Sequence, residues 1–283
     1  ITKKDEETYS REFWLFIGAL VLSIACVQIL ASTSVPVFNA IFGTEIAPPA
    51  DVIAHYNKWQ VPFAVVIAFI SAFSQFLKYK KTDPKKFFVS ISISLLVSVF
   101  ITAAAVYLMN IYTNVMYIIL TYASVFSILA NAKILGEAFK GKWRLAGSAV
   151  AHIGFALLLV GALVAAATNK IISINNTGIG FGDEFAKSNN PRENIILYKD
   201  EPTKMDRYTV TYMGDSTQGV NTHYRINYKV IDEKSGDVKE NFTLYPNAQQ
   251  NAKMRQIIAS PDTRHYLFHD VYTHVSSVPL KEE

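Results

Sequence analysis

One imidazole stands where bilayer hydrocarbon is expected. His152 lies in WRLAGSAVAHIGFALLLVGALVAAAT, residues Trp143–Thr168, a run apolar for long enough to cross a membrane. An ionisable side chain among Ala, Leu, Ile and Val is costly in lipid unless something pairs with it or binds it. A neutral imidazole is a good axial ligand for haem iron and a good proton relay. The small residues Gly147, Ser148, Ala149, Ala151, Gly154 and Gly161 surround it and leave room for a close helix or a flat ligand. The plainer reading is a helix-packing histidine bonded to a nearby serine or carbonyl. Six-coordinate haem needs a second histidine. The five apolar spans set out below offer no other, so that ligand comes from outside this chain or is absent.

The remaining candidates carry less chemistry. His55 sits at a membrane edge in AHYNKWQ, beside Tyr56 and Trp59. An interfacial aromatic cluster is the plainer reading, and a contact for something docking on the outer face is the functional one. His265, His269 and His274 in RHYLFHDVYTHV have metal-like spacing. On one strand the first two would share a face and the third would point away. Only Asp262 and Asp270 accompany them, so exposed strand histidines are the better reading. His223 is isolated. Gly178, Gly180 and Gly182 do not open a predicted helix, so they do not make a phosphate-binding loop. Cys26 is the chain's one cysteine and lies in an apolar run, which excludes an internal disulfide and a Cys-x-x-Cys redox pair. No Ser-His-Asp or Cys-His arrangement can be argued.

Two halves must position these residues. The chain has 283 residues and a mean hydropathy of +0.20, but composition shifts sharply near Asn169. Residues 1–168 alternate long apolar runs with short Lys-rich clusters, and predict transmembrane helices at about 13–35, 59–77, 87–109, 115–132 and 145–168. Val35-Pro36 should end the first span, with Phe38–Lys58 a loop. Lys and Arg concentrate in the N-terminal segment, in Lys78–Lys86 and in Lys133–Arg144, which the positive-inside rule makes cytoplasmic. The N-terminus is then inside and residues 169–283 are outside, which in a bacterium is the periplasm. The net charge of +4 arises in the membrane half. It therefore reports loop topology and attraction to the lipid bilayer, with no nucleic-acid partner implied. From Lys170 onward, KIISIN, ENIILYK, RYTVTYM, HYRINYKVI, KENFTLYP and HYLFHDVYTHV read as strands of a small all-β domain, sandwich or barrel-like. The chain opens on Ile rather than Met, so a piece of a longer polypeptide, or a processed or trimmed chain, is expected.

Several segments, in order, resemble the C-terminal part of CcmF, the haem-lyase subunit of bacterial cytochrome c maturation, in its Bacteroidetes style. They are YSREFWLF (Tyr9–Phe16), STSVPVFN (Ser32–Asn39), APPADVIAHYNKWQVPFA (Ala47–Ala64), GSAVAHIGFALLLVG (Gly147–Gly161), LYKDEPTKMDRYTVTYMG (Leu197–Gly214), FTLYPNA (Phe242–Ala248) and HDVYTHV (His269–Val275). The resemblance implies an inner-membrane protein that joins haem to Cys-x-x-Cys-His motifs of apocytochrome c. The haem chaperone CcmE and a CcmH-type protein that presents the apocytochrome are its partners. It also implies a structural b-type haem (haem b) held between two helix histidines, and His152 matches one of them. The other ligand, the substrate-haem histidines and the tryptophan-rich WWD segment belong to an earlier part of the family's chain. Trp14, Trp59 and Trp143 do not form that segment. The family ends in a further span that Leu280–Glu283 does not reach. The chain is therefore expected to be a fragment or subunit, inactive alone, that works with the missing N-terminal part of CcmF.

Two other readings make different demands. A non-enzymatic membrane scaffold would use the β-domain to dock partner proteins and the helices as an anchor. A transporter fragment would bring polar residues together at midplane, and the sequence offers Gln28, Gln75, Asn131 and hydroxyls without a charged pair.

Overall fold

The computed structural model describes residues 7–277 except 48, 50, 51, 142, 177, 179, 183, 184, 187, 188, 233, 234, 252–255 and 268. Contacts divide the chain into two compact units, between Asn169 and Lys170. The first holds α1 (Arg11–Thr33), α2 (Val35–Phe42), α3 (Val52–Phe73), α4 (Pro84–Met109), α5 (Val115–Phe139) and α6 (Ala146–Ala167). All but α2 are long and apolar enough to cross a membrane by length and composition.

Local chemistry sets the helix ends. Ser10, Asp83 and Asn114 cap α1, α4 and α5, each accepting from a backbone N–H in the first turn. The first span ends at Thr33, just ahead of Pro36, but Pro36 does not lead into a loop. It starts α2, because a first-turn residue needs no N–H for the helical ladder, and Phe38–Phe42, expected as loop, is helical. Gly43 closes α2 in the left-handed region (φ 63°). The next helix begins at Val52 rather than Trp59 and carries Pro62 inside it. The fourth span continues past Ala132 to Phe139, because Ile134 and Ala138 extend its buried stripe. Lys133, expected in a basic loop, is therefore helical. Its ammonium donates to the Ser90 carbonyl (2.6 Å) and lies over the Phe76 ring. Residues 48, 50 and 51 within Ala47–Ala64, residue 142 within Lys133–Arg144, and Leu280–Glu283 lie outside the described residues.

The centre of the bundle is α5, which packs on α3, α4 and α6. Its buried face is built from small residues, among them Ala123, Ser124, Ser127 and Ala130. The facing α4 contributes Ser94, Ser98 and Thr102. Such residues let backbones approach closely, which is how helices associate when the solvent is itself apolar.

The second unit holds β1 (Pro202–Met205), β2 (Tyr208–Gln218), β3 (Asn221–Ile231), β4 (Val238–Leu244), β5 (Asn247–Asn251), β6 (Gln256–Ser260), β7 (Asp262–His265) and β8 (Asp270–Thr273). The first six form one antiparallel sheet, and β7 and β8 form a separate two-stranded ribbon. One edge of β3 pairs with β2, and the other with β5 and then β4. Ile226↔Leu244 and His223↔Asn247 lie in one register, so β4 and β5 are a single line interrupted at Tyr245-Pro246. Tyr224 N–H still reaches the Pro246 carbonyl across the gap (2.9 Å). The core packs Met205, Tyr208, Val210, Ile226, Tyr228 and Leu244 against Val271 of the ribbon, with Ile172, Ile195 and Leu197 alongside. The segments KIISIN and ENIILYK, expected as strands, run beside this core without a ladder. They are tied by Asn175 N–H to the Arg192 carbonyl (3.0 Å) and by the single bridge Lys199↔Tyr212.

Candidate functional site

His152 occupies the second turn of α6 and is half-buried. At about 100° per residue, it lies beside the packed stripe of Ala149, Ala156 and Leu163, roughly 20–60° round the helix from its members. Its imidazole has no hydrogen-bond partner among the described residues. The plainer sequence reading, a bond to a neighbouring serine or carbonyl, is thus not what the described residues display. Gly147, Gly154 and Gly161 lie about 160° round the helix from it. A Cβ added to any of them would meet nothing within 4 Å. The room these glycines leave is therefore on a different face from the imidazole.

One turn below His152, and so on the same face, Ser148 fixes the helix. Its hydroxyl donates to Gln75 Oε1 (3.1 Å), just beyond α3. Gln75 Nε2 donates to Asn131 Oδ1 (2.9 Å) on α5. Asn131 is fully buried and donates to the carbonyls of Ser127 (2.9 Å) and Ser71 (3.1 Å). The Ser71 and Ser127 hydroxyls meet at 3.0 Å. Two amides and three serines thereby lock α6, α3 and α5 at one level. The Arg11 guanidinium joins them from α1, donating to the Gln75 carbonyl (2.9 Å).

The opposite end of the bundle has its own polar set. His55 falls within the first turn of α3 rather than ahead of a span. Its Nε2 meets Ser32 Oγ at 3.1 Å. Ser32 accepts from Gln28 (2.9 Å), and Gln28 Oε1 accepts from Gln60 Nε2 (2.6 Å). Tyr56 stands edge-on to the His55 ring, and Trp59 is exposed one turn on. The interfacial cluster is therefore also an interhelical clamp. Ser32 and Gln60, the residues that make it one, were not singled out in the sequence; the spacing of Gln28 and Ser32 at i, i+4 was the available signal. The amides Gln28, Gln75 and Asn131 fall into these two separate sets and do not converge at one point.

In the second unit the histidines do not share one strand. RHYLFHDVYTHV turns back on itself, and His265 pairs with Asp270 across the ribbon. Their side chains meet at 3.2 Å. His269 instead stacks on Tyr266, with ring centroids 4.4 Å apart. Arg207 Nη2 lies 2.6 Å from its Nε2. The Tyr208 hydroxyl accepts from Arg207 (2.5 Å), and this bond holds the guanidinium pKa above its ordinary value. Arg264 lies over the Phe242 and Tyr266 rings. The Tyr266 hydroxyl donates to Glu240; burial, then that carboxylate, raises the phenol's pKa. Arg207 and Arg264, which organise this aromatic surface, were missed because His269 and Phe242, which they join to their near neighbours Tyr208 and Tyr266, are distant in sequence. His274 stacks on Tyr272, and His223 lies in β3 opposite Ser216.

Comparison with known proteins bears on the fold. No protein-family model and no curated protein matches the sequence. Among solved structures, "Cytochrome c Heme Lyase CcmF" shares the fold, with a TM-score of 0.54 at 14% identity. The match covers 91% of this chain and 38% of that one, so this chain spans well under half the length of its solved relative. The expected architecture, five membrane-length helices followed by a small antiparallel β-domain, is the one observed.

Proposed function

We propose that this chain is the C-terminal part of a cytochrome c haem lyase, and that His152 is an axial ligand of a b-type haem held in its helical unit. The observation that carries the proposal is an imidazole on an apolar helix with no hydrogen-bond partner among the described residues. A group that accepts a nitrogen lone pair fits such a ring, and iron does so. The fold shared with the haem lyase supports the reading, and the sequence segments quoted above add to it. The second axial ligand is assigned to polypeptide outside this chain.

The chain's own residues do three things in this scheme. His152 stays neutral in its apolar surroundings and keeps a lone pair available. Ser148, Gln75 and Asn131 set the rotation of α6, and so the direction of the imidazole. The flanking apolar side chains keep water from the ring. Haem, when bound, supplies a redox-active iron whose potential follows its ligands and surroundings. The helical unit then helps assemble the site where haem is joined to Cys-x-x-Cys-His apocytochromes delivered with CcmE and CcmH-type partners. The Lys-rich loops are cytoplasmic and the β-unit periplasmic, at the bacterial inner membrane. Replacing His152 with Ala in the full-length protein should abolish its b-type absorption bands while the protein still accumulates. Unchanged bands would refute the role.

A scaffold reading draws on the Arg207–Arg264–Tyr266–His269 surface, an exposed cationic and aromatic patch suited to a protein partner. In that case Arg264→Ala would weaken assembly of the complex and leave the haem bands alone.

A further inference from the structure

At the Lys-rich end of the helical unit, α1, α3, α4 and α5 enclose a cleft of about 330 Å³, at the small end of ligand sites. Apart from Thr8 its lining is aromatic or aliphatic, with Tyr9, Trp14, Phe73 and Phe126 among its walls. The Trp14 indole N–H is already spent on the Thr8 carbonyl (2.9 Å). Phe88 is 53% exposed, so the cleft opens sideways toward where lipid tails lie. It reaches at least from Phe88 to Leu95 along α4, about 10 Å of helix. A hydrocarbon chain lying along the helices fits such a space; a polar ligand would find almost nothing to bond.

The rim carries the opposite chemistry. Lys78, Lys80, Lys85 and Lys86 have no ion-pair partner among the described residues, whereas Lys81 pairs with Glu7 (2.5 Å). The loop is pinned to the cleft by Thr82 N–H donating to the Tyr9 carbonyl (2.8 Å). Lys85 and Lys86 occupy the first turn of α4, which holds no acid, and Phe87 and Phe88 follow them into the cleft wall. Cations at a helix N-terminus oppose the helix dipole, and Asp83, the cap, offsets only part of that charge. An anion there relieves both lysines and the dipole together. A topology signal accounts for lysines in a loop, but not for an aromatic cleft directly beneath them.

The geometry points to a bound anionic phospholipid, with one acyl chain in the cleft and its phosphate at Lys85, Lys86 and the start of α4. This does not depend on the haem reading. The test places the full-length protein in phosphatidylcholine nanodiscs doped with phospholipid brominated on the acyl chain, which quenches nearby tryptophan. Brominated phosphatidylglycerol should quench more strongly than brominated phosphatidylcholine at equal mole fraction. The excess should vanish in Trp14→Phe, which identifies the reporter. In the Lys85→Gln/Lys86→Gln double variant the preference should fall by on the order of tenfold, with the helical circular dichroism retained. Equal quenching by the two lipids overturns the proposal. So does quenching that ignores Trp14→Phe, which would mean that another segment of polypeptide fills the cleft.

Discussion

His55 and His152 are both helical histidines in the same apolar unit, and their surroundings differ in kind. His55 meets the Ser32 hydroxyl and, through it, Gln28 and Gln60 on two helices. His152 has a hydrogen-bonded amide network one turn away and takes no part in it. The first ring spends its polarity on holding α1 to α3. The second is placed by such a network without being consumed by it. In lipid, where water cannot complete a polar group's bonding, that difference separates a structural histidine from one with chemistry to offer.

The sharpest way to break this contrast is to exchange roles. His152→Ala should remove the b-type bands of the full-length protein entirely, while His55→Ala leaves them in place. Loss of the bands in both variants would end the distinction. Next in size is Asn131→Ala. It removes the side-chain bonds to the Ser71 and Ser127 carbonyls and leaves Gln75 Nε2 without its acceptor in the bundle, and should cost about 1–3 kcal/mol of stability in a detergent melt. The shift should exceed that of the surface change Ser92→Ala. Ser32→Ala should cost less, on the order of 0.6 kcal/mol, and leave the haem spectrum untouched. The smallest effect lies in the β-unit, where Lys170 bonds Asp206 at 2.9 Å. That bond lowers the Asp206 pKa, so its stabilisation is present above the ordinary carboxylate range near 4. It is lost as pH falls through the lowered value. Asp206→Asn should flatten that slight acid sensitivity in a urea titration of the β-unit and leave both membrane histidines unaffected.

The sequence spelled out the parts that depend on local chemistry. Apolar runs marked five helices; the caps Ser10, Asp83 and Asn114 were not read from the sequence, although capping acts within four residues. His152 stood out through one polar side chain in a long apolar context. What stayed hidden depends on distance. Ser32 and Gln60 are ordinary until α1 meets α3, and Arg207 is ordinary until the ribbon brings His269 to it. Pro36 misled because the same ring that breaks a helix interior also opens a helix. ENIILYK alternates as a strand should, with Ile195 and Leu197 inward and Ile196 and Tyr198 outward, yet no neighbour offers it a ladder. Alternation reports one buried face and is silent about hydrogen bonding. In the ribbon, two short runs read as one strand because the turn between them, at Tyr266–His269, lacks Gly and Asn.

Because β3 is bonded along both edges, by β2 on one side and by β5 and β4 in sequence on the other, it has no exposed ladder to fray. Its amides should be the last in the β-unit to exchange with deuterated solvent. A proline at Asn227 or Tyr228 would not nick the sheet locally; it would deprive the whole unit of the template on which the other strands assemble.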